Sequence, residues 1–449
     1  VDGGWWVEVQ DQYNNLVSDS TAPVTVALNN GGGATLHGTL TVNAVAGKAT
    51  FTDLWIDLAG AGYKLAATSG VLIGAESGEF AITHAAAHHL VFSSQPEGPY
   101  AAGAAINAIP AVTVKDAYGN TVANSTLAIT MTLGTNPGGG TLSGTTQVNA
   151  AAGVATFNDL HIDKVGTGYT LAASGPGVTG ATSNAFNITW GATHHMVFIG
   201  DFPPATAMTA SSPLTPNPQV EIRDQYENKV ADSTASVAVA LSGTIPSGAV
   251  LSGTVQVNAV NGVATFSNLL VNRTGSAYKL NAMSPGLPDA ESGAFSIVAG
   301  GAAKLAFIQQ PTTGAAGVAM TPAFQVEVQD ADGNRVTTSA ASVTVAIKAG
   351  SGTLGAALGG TMSVNAASGV AEFSTLTVDK AGAGYVLEAS ATGLTGAESA
   401  PFAITHGAAS KLAFTAQPVG PYAAGQAINA IPVVTVQDAY GNTVDDSTA

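Results

Sequence analysis

Short stretches of alternating apolar and small polar residues run along most of this chain. Between residues 88 and 190 seven of them follow one another: "HHLVFSS", "PAVTVKD", "LAITMTL", "TLSGTTQVNA", "GVATFNDLHI", "GYTLAAS" and "NAFNIT". Side chains alternate across a strand, so Val112 and Val114 face one way and Thr113 the other, and Ala155 and Phe157 repeat the choice on a later segment. Gly, Pro, Asn and Asp separate the segments, which therefore read as strands joined by turns. No segment keeps a 3.6-residue apolar period over a useful length, so no amphipathic helix is expected.

The pattern repeats. An acidic heptad occurs as "DQYNNLV" from Asp11, "DAYGNTV" from Asp116, "DQYENKV" from Asp224, "DADGNRV" from Asp330 and "DAYGNTV" from Asp438. Further landmarks keep step with it: "GKATF", "GVATF", "GVATF" and "GVAEF" end at Phe51, Phe157, Phe266 and Phe373, and a Tyr follows at 63, 169, 278 and 385. Equivalent landmarks lie 105 to 109 residues apart, in fixed order. Above this runs a longer period, with "PYAAG" and "INAIP" returning at an offset of 322, as though a block of three repeats had been copied. Such periodicity means a tandem array, each repeat one folding unit.

Seven short strands in about a hundred residues is the size and rhythm of an immunoglobulin-like sandwich. The expected fold is all-β, a tandem array of seven-stranded Ig-like Greek-key sandwiches. The expected domains are 1–84 (first strand missing), 85–190, 191–299, 300–406 and, at 407–449, the first strands of a further domain. In "DKVGTGYTL" a Gly-containing bend precedes a Tyr that opens a strand, which fits the tyrosine corner of Greek-key sandwiches. Tyr63, Tyr169, Tyr278 and Tyr385 all take this place. A strand, "VTVKDAYGNTV", a second strand and then "GVATF" resembles the bacterial Ig-like repeats of invasin/intimin-type adhesins and large bacterial surface proteins. That resemblance, one of pattern over nearly the whole chain, implies a rigid extracellular stalk. No binding tip of the invasin kind is recognisable.

Composition narrows the function. Only 9% of residues are charged, the net charge is −16, and the 13 Lys and Arg are scattered. Nucleic acid is thus an unsuitable partner. Cysteine is absent, which removes disulfides, thiolate metal sites and a Cys nucleophile. Mean hydropathy is +0.27, yet no run approaches the length needed to span a bilayer. The chain opens on Val with no signal peptide, and its ends match the interior of a repeat. A processed product, or a piece cut from a longer array, is the expectation.

Candidate chemistry is sparse. Asp116 and Asn120 offer oxygen ligands of the kind calcium takes between adjoining domains, but no closing Glu is spaced as in an EF-hand. The pairs Asp53/Asp57 and Asp159/Asp163 become Asn268 and Asn272 in the third repeat, a change a shared metal site tolerates poorly. His88/His89 and His194/His195 suggest zinc, but neighbours on a strand point to opposite faces. No metal and no cofactor are expected. GxSxG, HExxH, Walker and CxxC motifs are absent, and no repeat carries an insertion that would build an active site, so an enzyme is not expected. Instead the heptad reads as a tight turn, its Gly-Asn permitting positive φ and its Asp capping turn amides. Asn124, Asn187 and Asn272 stand in N-glycosylation sequons. Outward strand positions hold Thr, Ser, Ala and Asn instead of Lys and Glu, a surface suited to self-association or to glycan cover. Trp5 and Trp6 are unusual: either one ring fills the core and the other faces outward, or the pair is an idiosyncratic exposed aromatic feature. The sequence thus points to a structural repeat segment of an extracellular or cell-surface protein, a stiff stalk or self-assembling fibre. The alternative is an adhesin or carbohydrate-binding module using loops such as "GTNPGGG" at 134–140.

Overall fold

In the computed structural model, described for residues 5–429 and 431–445, every regular element is a β-strand and no helix occurs among the described residues. Contacts divide the chain into two compact units, Val1–His194 with Arg223–Val230 and His195–Ile222 with Ala231–Ala449. The heptad turn at 224–230 therefore belongs with the first unit.

The second repeat, in the first unit, shows how the pattern folds. One sheet sets Ala111–Lys115 between His89–Ser94 and Val154–Thr156, both antiparallel to it. A second runs in the order Gln147–Asn149, Ala128–Leu133, Leu171–Ser174 and Ala181–Thr182. In a third group Phe186–Thr189 pairs antiparallel with Gly166–Tyr169 and parallel with Tyr100–Ala101. Side chains from all three meet in one core that includes Val112, Val114, Ile129, Met131, Phe157, Tyr169, Leu171 and Ile188. Fully burying one such side chain contributes about 1.5–3 kcal/mol. Val112 and Val114 are buried as alternation requires, and Thr113 is buried too because its strand lies between two partners.

Three of the seven strand segments are interrupted. "TLSGTTQVNA" divides into Leu142–Ser143 and Gln147–Asn149, and "GVATFNDLHI" into Val154–Thr156 and His161–Ile162. The short pieces pair with each other. The break falls at Gly144, with φ 101°, where a Cβ would stand 2.4 Å from the Asp159 carbonyl oxygen, so only glycine fits. "GYTLAAS" divides after Tyr169 and so serves two groups of strands.

In the second unit the fourth repeat has the same pairings. Phe324–Gln329 lies between Lys304–Gln309 and Val370–Phe373, and Ser342–Ile347 between Ser363–Asn365 and Leu387–Ser390. Its core includes Val326, Val328, Phe373, Tyr385 and Leu387. The third repeat buries Phe266, Tyr278 and Leu280 at the equivalent landmarks. In the first repeat Trp5–Glu8 pairs with Lys48–Phe51 alone among the described residues. Both Trp5 and Trp6 are largely exposed; the Trp5 ring lies 5.3 Å from Phe80, and Lys48 sits over Trp6.

Candidate functional site

The five heptads fold into one turn. In the second, the Asp116 amide donates to the Asn120 carbonyl and the Gly119 amide to the Asp116 carbonyl. The carboxylate holds the turn from inside: Oδ1 accepts the amides of Tyr118 and Asn120, each at 2.9 Å. The fourth position has positive φ in every copy, at Asn14, Gly119, Glu227, Gly333 and Gly441. Gly supplies that conformation without strain, whereas Glu227 does so at a cost.

The outer atoms of the turn face other parts of the chain. Asp116 Oδ2 accepts the amide of Ala85, in the segment that enters the repeat, and the Asn120 side-chain amide. Equivalent bonds run from Gly191 to Asp224, Gly300 to Asp330 and Gly407 to Asp438, at 2.8–3.0 Å. The heptad Asn then takes hold of the preceding repeat. Asn120 Nδ2 donates to the Asp57 carbonyl and its Oδ1 accepts the Ala59 amide, both at 2.8 Å. Asn228 does this with Asp163 and Val165, Asn334 with Asn272 and Thr274, and Asn442 with Asp379 and Ala381. Every partner atom is backbone.

The middle carbonyl of each gripped loop is taken by the corner tyrosine. Tyr63 Oη donates to Leu58, Tyr169 to Lys164, Tyr278 to Arg273 and Tyr385 to Lys380, at 2.7–3.1 Å. One three-residue loop thus gives its first carbonyl and third amide to the next repeat's Asn, and its second carbonyl to its own Tyr. The cation in its middle reaches forward, with Lys164, Arg273 and Lys380 donating to the carbonyls of Tyr226, Asp332 and Tyr440. Leu58 has no such group, and there Trp55 packs 5.3 Å from Tyr118 and stacks on His37 at 4.0 Å. Tyr226 and Tyr440 lie so close to Gly103 and Gly317 that a Cβ on either glycine would fall 2.0–2.1 Å from the ring.

These contacts bury the acid. Asp116 is 0% exposed, and Asp224, Asp330 and Asp438 are nearly as buried. Burial raises a carboxyl pKa, but at Asp116 the amides of Ala85, Asn120 and Tyr118 and the Asn120 side chain outweigh it and hold the group at about 2. Asp438 is also held at about 2, burial being overcome by the Asn442 side chain and the amides of Gly407, Asn442 and Tyr440. The carboxyls of Asp224 and Asp330 are likewise lowered against the effect of burial. Four hydrogen bonds use both oxygens of Asp116, leaving little for a cation.

Other residues singled out in the sequence have local partners. Asp53 accepts from the Thr39 amide and hydroxyl, whereas Asp57 accepts the Thr35 amide and contacts His37. Asp159 and Asp163 hold Thr145 and Thr141 in the same way, and Asn268 and Asn272 hold the amides of Thr254 and Val250. These positions need an oxygen acceptor, not a charge, which is why Asn serves. His88 and His89 do not diverge: their Nδ1 atoms lie 3.3 Å apart, because the strand begins only at His89 and alternation does not govern His88. Among the described residues no group of three or more His, Asp or Glu is placed to hold a metal ion. Asn124 is exposed; Asn187 is exposed and accepts the Gly168 amide; Asn272 uses both ends of its amide, toward Val250 and Gly248. In the loop at 134–140 Asn136 closes on Gly140 through two bonds of 2.8 Å. Among the described residues no helix is long and apolar enough to cross a membrane.

Sheet pairing and cores define the class, a tandem array of Ig-like Greek-key β-sandwiches. No protein-family model and no curated protein matches the chain. Among solved structures it is similar to the FdeC adhesin of Escherichia coli, at 16% identity over 73% of this chain and 100% of that one, with a TM-score of 0.31. It is also similar to invasin, a bacterial integrin-binding protein, at 14% identity over 89% of this chain and 75% of that one, TM-score 0.27. A third is the extracellular cadherin domains 1–4 of protocadherin gamma B7, at 12% identity, 90% and 98% coverage and a TM-score of 0.32.

Proposed function

We propose that the chain is a structural segment of an extracellular surface protein, a stalk whose repeats are held in fixed relation by the heptad clamp. In this reading the domains divide at 84/85, 190/191, 299/300 and 406/407, and no step is catalytic. One observation carries it. At 116–120, 224–228, 330–334 and 438–442 a buried Asp and its Asn bind the same backbone atoms of the entering segment and of the preceding loop. A short connection alone leaves neighbouring domains free to bend. Two hydrogen bonds through a side chain locked to its own turn oppose that bending.

The reading is tested by spin labels placed on either side of the 330–334 clamp, with distance distributions measured before and after Asn334→Ala. The expected result is a narrow distribution that broadens in the variant while the sandwich cores keep their melting temperature. An unchanged width would overturn the role given to the clamp.

A further inference from the structure

The two histidines that open the second repeat turn toward each other. Inside a strand the rings of sequence neighbours part, but this strand begins only at His89, so His88 is free of the alternation. The Nδ1 atoms of His88 and His89 lie 3.3 Å apart, and the rings stand nearly edge to face, at 81° with centroids 5.5 Å apart. The backbone beneath them is held from both sides. The His88 amide donates to the Lys115 carbonyl at 2.8 Å, and the His88 carbonyl accepts the Thr179 amide at 2.9 Å. His89 faces Lys115 in the antiparallel ladder and is bridged by Thr179 on its other edge. Lys115 spends its ammonium group on the Thr121 hydroxyl, at 3.1 Å. His88 is exposed and His89 half-buried, so the pair is open to solvent.

The fourth repeat shows what these two positions do when they serve the fold alone. Ala303 and Lys304 stand there. The Ala303 amide keeps the backbone bond, to the Gln329 carbonyl at 2.8 Å, and Lys304 Nζ reaches the heptad turn, donating to the Ala331 carbonyl at 3.0 Å. The His89 ring makes no such bond among the described residues; its polar contact is His88. Neither imidazole is therefore needed to start the strand or to hold the heptad, and one hydrogen bond between exposed rings adds little to stability.

The separation between them suits a metal ion. Two nitrogens each about 2.0–2.1 Å from a tetrahedral zinc stand about 3.3–3.4 Å apart, whereas two at a right angle about the ion stand about 2.9 Å apart. We propose that His88 and His89 bind a divalent transition metal of the zinc type through their Nδ1 atoms, with water in the remaining positions. The proton shared between the rings moves to the Nε2 of the ring that carries it, which leaves both Nδ1 lone pairs to the ion. Imidazole nitrogen favours zinc, copper or nickel over calcium and magnesium, which take oxygen. No third His, Asp or Glu joins the pair among the described residues, so the ion is exchangeable and open to a ligand from outside the chain. This site goes beyond the stalk reading and does not depend on it.

The test is a titration of zinc chloride into the full chain, with histidine side-chain nitrogen shifts read by NMR at each addition. The Nδ1 resonances of His88 and His89 should move and saturate together, with magnesium chloride leaving them in place. His88→Ala gives the first position the residue the fourth repeat has at 303, so the metal-free melting temperature should not change. In that variant zinc affinity at His89 should fall by roughly tenfold or more. Equal affinity at His89 in the parent and in His88→Ala, ligation through Nε2, or rings that ignore excess zinc would each overturn the site. Each of these leaves the stalk reading to the spin-label distances across the 330–334 clamp.

Discussion

Positive φ at the fourth heptad position is a backbone requirement that glycine meets without strain. Gly119 has φ 88° with open space where a Cβ would go, so a side chain there meets strain and no clash. Gly119→Ala should therefore lower the stability of the second repeat by about 1–2 kcal/mol. Glu227 is the natural counter-example, at φ 65° and paired with Arg223 at 3.0 Å. An exposed ion pair is worth about 1 kcal/mol or less, so Glu227→Gly should leave stability unchanged or raise it. Denaturant titration of the two variants checks both signs, and a Gly119→Ala protein as stable as the parent would remove the strain argument.

At the level of elements, the pattern of apolar residues carried most of the information. Val112, Val114, Ala155 and Phe157 alternate over enough residues to announce a strand and its buried face. Tyr100–Ala101 and Ala181–Thr182 are two-residue strands, too short for any period, and were invisible for that reason. The turn inside "DAYGNTV" was legible because Asp, Gly and Asn each have a local cause for being there. Its grip on the preceding repeat was not, because Asn120 binds the carbonyl of Asp57 and the amide of Ala59, atoms every residue possesses. A trace existed in "DLAGAGY", "DKVGTGY", "NRTGSAY" and "DKAGAGY", where the gripped loop always precedes the corner Tyr by the same count. The first residue of that loop needs an acceptor side chain to hold the strand before it, Asp163 toward Thr141 at 2.6 Å and Asn272 toward Val250 at 2.7 Å. Asp163→Asn should accordingly be nearly neutral, and Asp163→Ala should cost about 1–3 kcal/mol by leaving a donor unpaired. Equal losses in the two variants, read from thermal unfolding, would show that charge matters there after all.

For the molecule as a whole, the buried clamp acids set a pH limit. Asp116 and Asp438 have carboxyls depressed to about 2, against an ordinary value of 3.8. A depressed group stabilises the folded form at every pH above its unfolded value, and that contribution disappears as pH falls through the folded one. The clamps of Asp116 and Asp438 should be fully effective at neutral pH, begin to weaken below about pH 4 and fail near pH 2. Scattering across this range should show spacing between repeats broadening with acid, an effect Asp116→Asn should blunt. Constant spacing down to pH 2 would separate the clamp from its carboxylate.

Because each Asn reads only a carbonyl and an amide two residues apart, the junction carries no password. Any module with the same loop offers that Asn its two partners, whatever the side chains of the loop. Copying a three-module block, as the return of "PYAAG" and "INAIP" suggests, creates seams that already fit. Lengthening or shortening such a chain by recombination leaves the Asn and its two backbone partners matched on either side of the cut.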